Sequence, residues 1–232
     1  MAEKVKKILY QYRHGVILSY FLVYIGFFMM LEENVRVKYV MRSWLDAYIP
    51  FQEAFIIPYF MWFFYVGSVI VYLMLKSKRD FYRACMFLFT GMSLCLVFYA
   101  LFPNGQYLRP HVFPRDNFLV DMVRYIYAHD TPTNVCPSIH VLNSIGINIA
   151  VQKSEVFRNR RKLRRSSTVL MILICMSTVF LKQHSVIDVI CAILLSIPLY
   201  LLAYRVEWKR FVPLKEEEEP ISIKQGSTIH WN

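Results

Sequence analysis

Three short stretches of this 232-residue chain hold residue types suited to handling a phosphate ester. Arg109-Pro110 offers a guanidinium, permanently charged and shaped to grip two phosphate oxygens at once. Cys136-Pro137-Ser138-Ile139-His140 joins Pro and Ser, both favoured at helix starts, to a histidine. The first N–H groups of a helix lack internal partners and favour an anion, so His140 falls beside an anion-binding helix end. In the third stretch Ser177, Lys182, His184 and Asp188 follow one another closely. His184 and Asp188 stand four residues apart, so they share a face of a helix that begins near Gln183. A carboxylate on one imidazole nitrogen fixes the tautomer and leaves the other nitrogen free to attack. Two histidines, a carboxylate and an arginine make a set fit for phosphoryl transfer through a phosphohistidine.

Each piece has a plainer reading. A histidine near the end of an apolar helix serves as an interfacial residue, His-x-x-x-Asp as a local capping pair, and Arg109-Pro110 as a loop anchor. Two imidazoles and a carboxylate also make a partial zinc set. Arg109 and Lys182 nearby would repel a cation and attract an anion, so neither metal nor cofactor is expected.

The elements that must bring these stretches together are apolar helices. Hydrophobic residues make up 56% of the chain, gathered in blocks nearly free of charge. A hydrocarbon core of about 30 Å needs roughly 17–25 apolar residues per helix. The blocks at 15–31, 54–75 and 84–102 meet that length. The stretch 166–204 would be about 58 Å long as one helix, so it breaks at Lys182-Gln183-His184 into spans 166–181 and 185–204. A weaker span, 137–152, carries Ser138, Asn143, Ser144 and Asn148 inside it. Polar groups inside a span face protein or a wet cavity, and Asn143 and Asn148 are expected to bond between helices. The reading is an all-α polytopic membrane protein of six transmembrane helices with an outer-face active site. Residues 1–14 form a basic N-terminus, 15–204 the catalytic membrane domain and 205–232 a solvated, mobile tail. A short surface helix is expected over 116–127. Disorder, a coiled coil and a disulfide-stapled secreted domain are excluded. The five cysteines show no pairing pattern and read as inert thiols.

The net charge of +11 suggests nucleic acid at first sight. Its distribution points elsewhere. Six spans put both termini on one side, and that side carries 20 of the 27 Lys and Arg residues. Such an excess marks the cytoplasmic face. The three chemical stretches then meet on the opposite, extracytoplasmic face of the cell membrane, and no nucleic-acid partner is expected. His111 and His129 read as solvated. Glu53 reads as an interfacial carboxylate or a partner for an active-site arginine.

These motifs resemble the type 2 phosphatidic acid phosphatase superfamily of membrane lipid phosphatases. That family carries Lys-x6-Arg-Pro, Pro-Ser-Gly-His and Ser-Arg-x5-His-x3-Asp. Arg109-Pro110 matches the end of the first. Pro137-Ser138-Ile139-His140 matches the second with Ile139 in place of Gly. Ser177, His184 and Asp188 match the third, with Thr178 in place of Arg. The resemblance implies that His184 is the nucleophile, Asp188 its orienting partner and His140 the general acid. It implies that Arg109, Ser138 and Ser177 hold phosphate. Phe102 stands where the first motif has Lys, so two cationic ligands are missing. Lys182, with Arg115 or Arg124, is the expected replacement. The substrate implied is a phospholipid or isoprenyl phosphate, met among membrane lipids. Pro-Ser-aliphatic-His followed by Lys-Gln-His resembles the branch that includes inositol phosphorylceramide synthases, which implies headgroup phosphotransfer as an alternative. A second alternative is a non-enzymatic lipid-binding or transport scaffold with a degenerate site.

Overall fold

The computed structural model describes residues 10–34 and 36–206. The start of the basic N-terminus and nearly all of the tail lie outside the described residues. Among the described residues the chain forms seven α-helices and one pair of two-residue strands. In chain order these are α1 (Tyr20–Asn34), β1 (Tyr39–Val40), α2 (Ile56–Lys76), α3 (Lys78–Leu101), β2 (Asn104–Gly105), α4 (Phe118–His129), α5 (Ile139–Lys153), α6 (Arg161–Phe180) and α7 (Val186–Tyr200). A 3₁₀ stretch, Arg13–Ser19, leads into α1, and a π-helical turn, Leu201–Arg205, ends α7 just after Pro198. Five helical segments are long and apolar enough to cross a membrane: Arg13–Asn34, Glu53–Lys76, Lys78–Leu101, Arg161–Phe180 and Val186–Arg205. Apolar side chains such as Leu22, Phe64 and Leu194 stand exposed on them.

α5 is not among the five. Its 15 residues rise only about 22 Å, short of the hydrocarbon core. It is the central helix, packed against α2, α3, α6 and α7, with Val141, Leu142, Ile147 and Val151 fully buried. Gly146 lets it approach α3, since a Cβ there would lie 2.4 Å from the Phe87 ring. Asn148 bonds between helices as expected, accepting from Ser167 Oγ at 3.0 Å and Thr168 Oγ1 at 3.2 Å of α6. Asn143 Oδ1 has no partner among the described residues.

Charged residues extend the helices beyond their apolar blocks. The connection between the apolar blocks 54–75 and 84–102 shrinks to Ser77. Its N–H closes α2 on Leu73 O at 2.8 Å, and its Oγ accepts from Asp80 N–H at 3.3 Å to open α3. Likewise α6 begins at Arg161, in the basic sequence before the apolar block that opens at 166. Lys and Arg are good helix formers, so an apolar count starts such helices too late. The short helix expected at 116–127 is α4, two residues later. Asn117 caps it by accepting from Val120 N–H at 3.1 Å.

The strand pair was not foreseen. β1 runs parallel to β2 and ties the segment after α1 to the turn after α3. Here Asn104 is completely buried and takes the place of a third strand for residues 134–136. Its Oδ1 accepts from Val135 and Cys136 N–H at 2.9 and 2.8 Å, and its Nδ2 donates to Cys136 O at 3.1 Å. The irregular backbone leading down to α5 is thereby satisfied without water.

Candidate active site

The start of α5 and the start of α7 meet. Ser138 N–H donates to Asp188 O at 3.2 Å, and Ser138 Oγ caps α5 by accepting from Val141 N–H at 3.4 Å. Ser185 caps α7 in a reciprocal box in which Asp188 Oδ2 accepts from Ser185 N–H at 2.9 Å. The same oxygen lies 3.4 Å from His184 Nδ1, so one carboxylate both starts the helix and holds the imidazole. Asp188 is fully buried.

This junction brings His140 opposite His184, with ring centroids 5.8 Å apart. His140 is wedged between the Tyr59 and Trp62 rings of α2, at centroid distances of 4.8 and 4.5 Å. Both histidines line a cavity of about 370 Å³, walled mainly by aromatic rings of α1, α2 and α4. Among the described residues that line it, Asp130 is the single carboxylate, and there is no Lys or Arg.

Arg109 reaches the site one residue removed. Its Nη2 donates to Gln183 Oε1, its Nη1 to Tyr127 O at 3.2 Å, and its guanidinium stacks 4.5 Å over the Tyr127 ring. Gln183 Nε2 in turn donates to Asp130 Oδ2 at 3.3 Å, and the Tyr59 phenol donates to the same oxygen at 3.4 Å. Arg109 Nε is buried and has no hydrogen-bond partner among the described residues. Burial pushes the Arg109 guanidinium below its ordinary range, opposed by the charge of Asp130. Burial likewise pushes the Asp130 carboxyl up, opposed by Arg109 and His184.

The structure does not bring the other expected residues into the cavity. Lys182 Nζ donates to the carbonyls of Asp46, at 2.8 Å, and Ile49. It is the left-handed residue of the turn, at φ 54°, and that geometry commits its ammonium to the 43–50 segment. Lys182 is therefore not the replacement cation. Burial also lowers its pKa, opposed by Asp46. Ser177 Oγ folds back on its own helix, donating to Ile174 O at 2.6 Å. Arg115 is paired with Glu53, which also accepts from Asn117, while Arg124 is paired with Asp116 and Asp121. Thr178 is buried, but its carbonyl accepts from both Gln183 and His184 N–H, at 2.9 and 3.0 Å, shaping the turn.

Sequence reasoning missed Asp46, Asn104, Asp130, Tyr59 and Trp62. Asp130 and Asn104 lie in Pro- and Asn-rich connections with the look of turns, and Tyr59 and Trp62 lie inside the apolar block 54–75, where aromatic residues carry no local signal of a site. Asp46 had one signal, Ser43 three residues before it, the pattern of a capping box. The box forms at 2.7 Å. Among the described residues, no group of three His, Cys, Asp or Glu side chains is placed to hold a metal ion. The chain matches no protein-family profile, no curated protein and no solved structure.

Proposed function

We propose that the protein is a six-span membrane enzyme that cleaves a phosphate ester of a lipid through a phosphohistidine, at the extracytoplasmic end of its helix bundle. The observation that carries the reading is the His184–Asp188 pair facing His140 across one apolar cavity. With Asp188 on Nδ1, the Nε2 lone pair of His184 attacks phosphorus. The bond from phosphorus to the lipid alcohol breaks, and His140 supplies the proton that alcohol needs. Water then attacks the phosphohistidine with His140 taking its proton, which releases phosphate and restores both imidazoles. The placing of the cavity among long apolar helices supports a substrate whose chains remain in the bilayer. Counting α5 as the sixth, short span gives the topology that the basic loops predict.

A second reading, headgroup phosphotransfer from a phosphodiester lipid, draws support from the charges. A phosphomonoester brings up to two negative charges to a cavity whose lining offers Asp130 and no Lys or Arg, with Arg109 behind Gln183. A phosphodiester brings one. An alcohol then replaces water in the second step.

The test is phosphate release by purified protein from phosphatidic acid, phosphatidylglycerol phosphate and an isoprenyl pyrophosphate, each with and without inositol. A phosphodiester lipid is added as donor. Release that disappears in His184→Ala supports hydrolysis, and a phosphoester of inositol that forms only when inositol is present, with the free lipid alcohol left behind, supports transfer. Retained lipid with neither product would leave a binding scaffold and sink both.

A further inference from the structure

At the end of the bundle opposite the histidines, three arginines line one cavity. It has a volume of about 220 Å³, lies between the end of α5 and the start of α6, and is walled by Gln152, Arg161, Arg164, Arg165 and Thr168. Like charges set so close repel one another, and the start of a helix is the end at which its dipole disfavours cations. Among the described residues no acid relieves them: Glu155 is paired with Arg158 at 3.3 Å, and neither Arg161 nor Arg165 pairs with a carboxylate. The cavity is also held in shape. Arg164 Nε donates to Gln152 Oε1 at 2.9 Å and its Nη2 to Gln152 O at 3.4 Å. Gln152 Nε2 donates back to Arg164 O at 2.9 Å and to Thr168 Oγ1 at 3.2 Å. Half-buried Arg164 is thus fixed by α5 between the exposed guanidiniums of Arg161 and Arg165. Guanidinium forks facing one space suit the several oxygens of a phosphate.

The rest of α6 says where that phosphate comes from. At helical spacing from Arg161 and Arg165, on the same side of the helix, Val169, Ile172 and Met176 stand exposed. A phospholipid beside α6 lays its chains on this stripe with its headgroup level with the arginines. A soluble anion gains nothing from the stripe. We infer that the cavity binds the headgroup of an anionic phospholipid, drawn from the leaflet at this end of the helices. Basic pockets between membrane helices take such headgroups. The inference does not rest on the phosphatase reading, because α6 puts about 30 Å between this cavity and the turn that carries His184.

The test adds tetraoleoyl cardiolipin, an anionic diphosphate lipid, or dioleoyl phosphatidylcholine to the full chain in detergent. Native mass spectrometry reads binding and melting curves read stability. Cardiolipin is expected to bind about tenfold more tightly than phosphatidylcholine, or better, and to raise the melting temperature. Arg161→Gln combined with Arg165→Gln is expected to weaken cardiolipin roughly tenfold to thirtyfold, the effect of two basic side chains at an anionic headgroup. The same pair is expected to abolish the melting rise and to melt no lower than the parent without lipid. Arg165→Lys keeps the charge and loses the fork, and a several-fold weakening is expected there. Lys76→Gln combined with Arg79→Gln removes as much charge from the junction of α2 and α3, at the same end of the bundle, and is expected to leave binding nearly unchanged. Equal weakening in the two double variants overturns the inference, since a diffuse basic face would do as much. So does equal binding of the two lipids. Displacement of cardiolipin by millimolar pyrophosphate at matched ionic strength would make the site one for a soluble anion and defeat the lipid. Binding that appears only when Glu216→Gln, Glu217→Gln, Glu218→Gln and Glu219→Gln are combined would assign the arginines to the chain's own acidic run and overturn it as well.

Discussion

Asp46 caps the helix that begins after Ser185, although 139 residues separate the two. Asp46 Oδ2 accepts from Ser185 Oγ at 2.7 Å and Oδ1 from Val186 N–H at 2.9 Å. The turn that carries His184 is thus gripped by the loop between α1 and α2. Asp46→Ala is expected to lower stability by roughly 2–3 kcal/mol, as the loss of charged hydrogen bonds at a helix start does. Denaturant unfolding in detergent measures it. A loss within about 0.5 kcal/mol, the ordinary range for surface changes, would mean that the turn holds itself.

Asp188→Asn separates the two duties of that carboxylate. Asn still accepts from Ser185 N–H, so the helix start survives. The imidazole loses the charge that, in the proposed mechanism, fixes its tautomer and steadies it during reaction. Turnover is expected to drop by about 10²–10⁴, as it does when a histidine-orienting carboxylate is neutralised, with a melting temperature close to the parent's. A large melting shift with little change in turnover would reverse the assignment.

Asp130 predicts a pH dependence. Burial raises its pKa, against the pull of Arg109 and His184. The native state therefore holds this proton more tightly than the unfolded chain does. The stabilisation is complete below the unfolded value and fades as pH rises through the folded one. Ionised Asp130 costs the native state at neutral pH, whereas Asn keeps an acceptor for Tyr59 and Gln183. Asp130→Asn is expected to be more stable relative to the parent at about pH 7 than at about pH 4. Melting curves across that range decide it, and parallel curves would refute the sign.

Lys182 separates structure from substrate binding. Lys182→Ala is expected to lower stability and leave the apparent affinity for lipid phosphate nearly unchanged. Lys182→Gly tolerates the left-handed backbone and is expected to be about 1 kcal/mol more stable than the Ala variant. A tenfold rise in KM with unchanged stability would return Lys182 to the phosphate.

Apolar block length and the polar break at 182–184 make five of the helices legible in the sequence, and the spacing of His184 and Asp188 makes their pairing legible. Three things stayed hidden, each for a physical reason. Helix starts at Lys78 and Arg161 lie in charged sequence that an apolar count passes over. Asn104 acts through side-chain bonds to residues 31 and 32 positions away, which no local pattern encodes. Asp130 and Lys182 exchange the roles that charge alone suggests. The expected cation faces backbone carbonyls, while a carboxylate from a turn faces the histidines. Side-chain direction in an irregular turn depends on backbone angles such as the positive φ of Lys182.

The shortness of α5 bears on how such a molecule is made. A helix of 15 residues with Asn143, Ser144 and Asn148 inside it is a poor candidate for independent insertion into a bilayer. In a six-span chain it enters as a passenger between stronger neighbours, and Gly146 and Asn148 become satisfied only once α3 and α6 are in place. His140 rides on this helix. During biosynthesis the proposed acid–base group is therefore among the last parts to settle, and His184 faces His140 only in a completely assembled bundle.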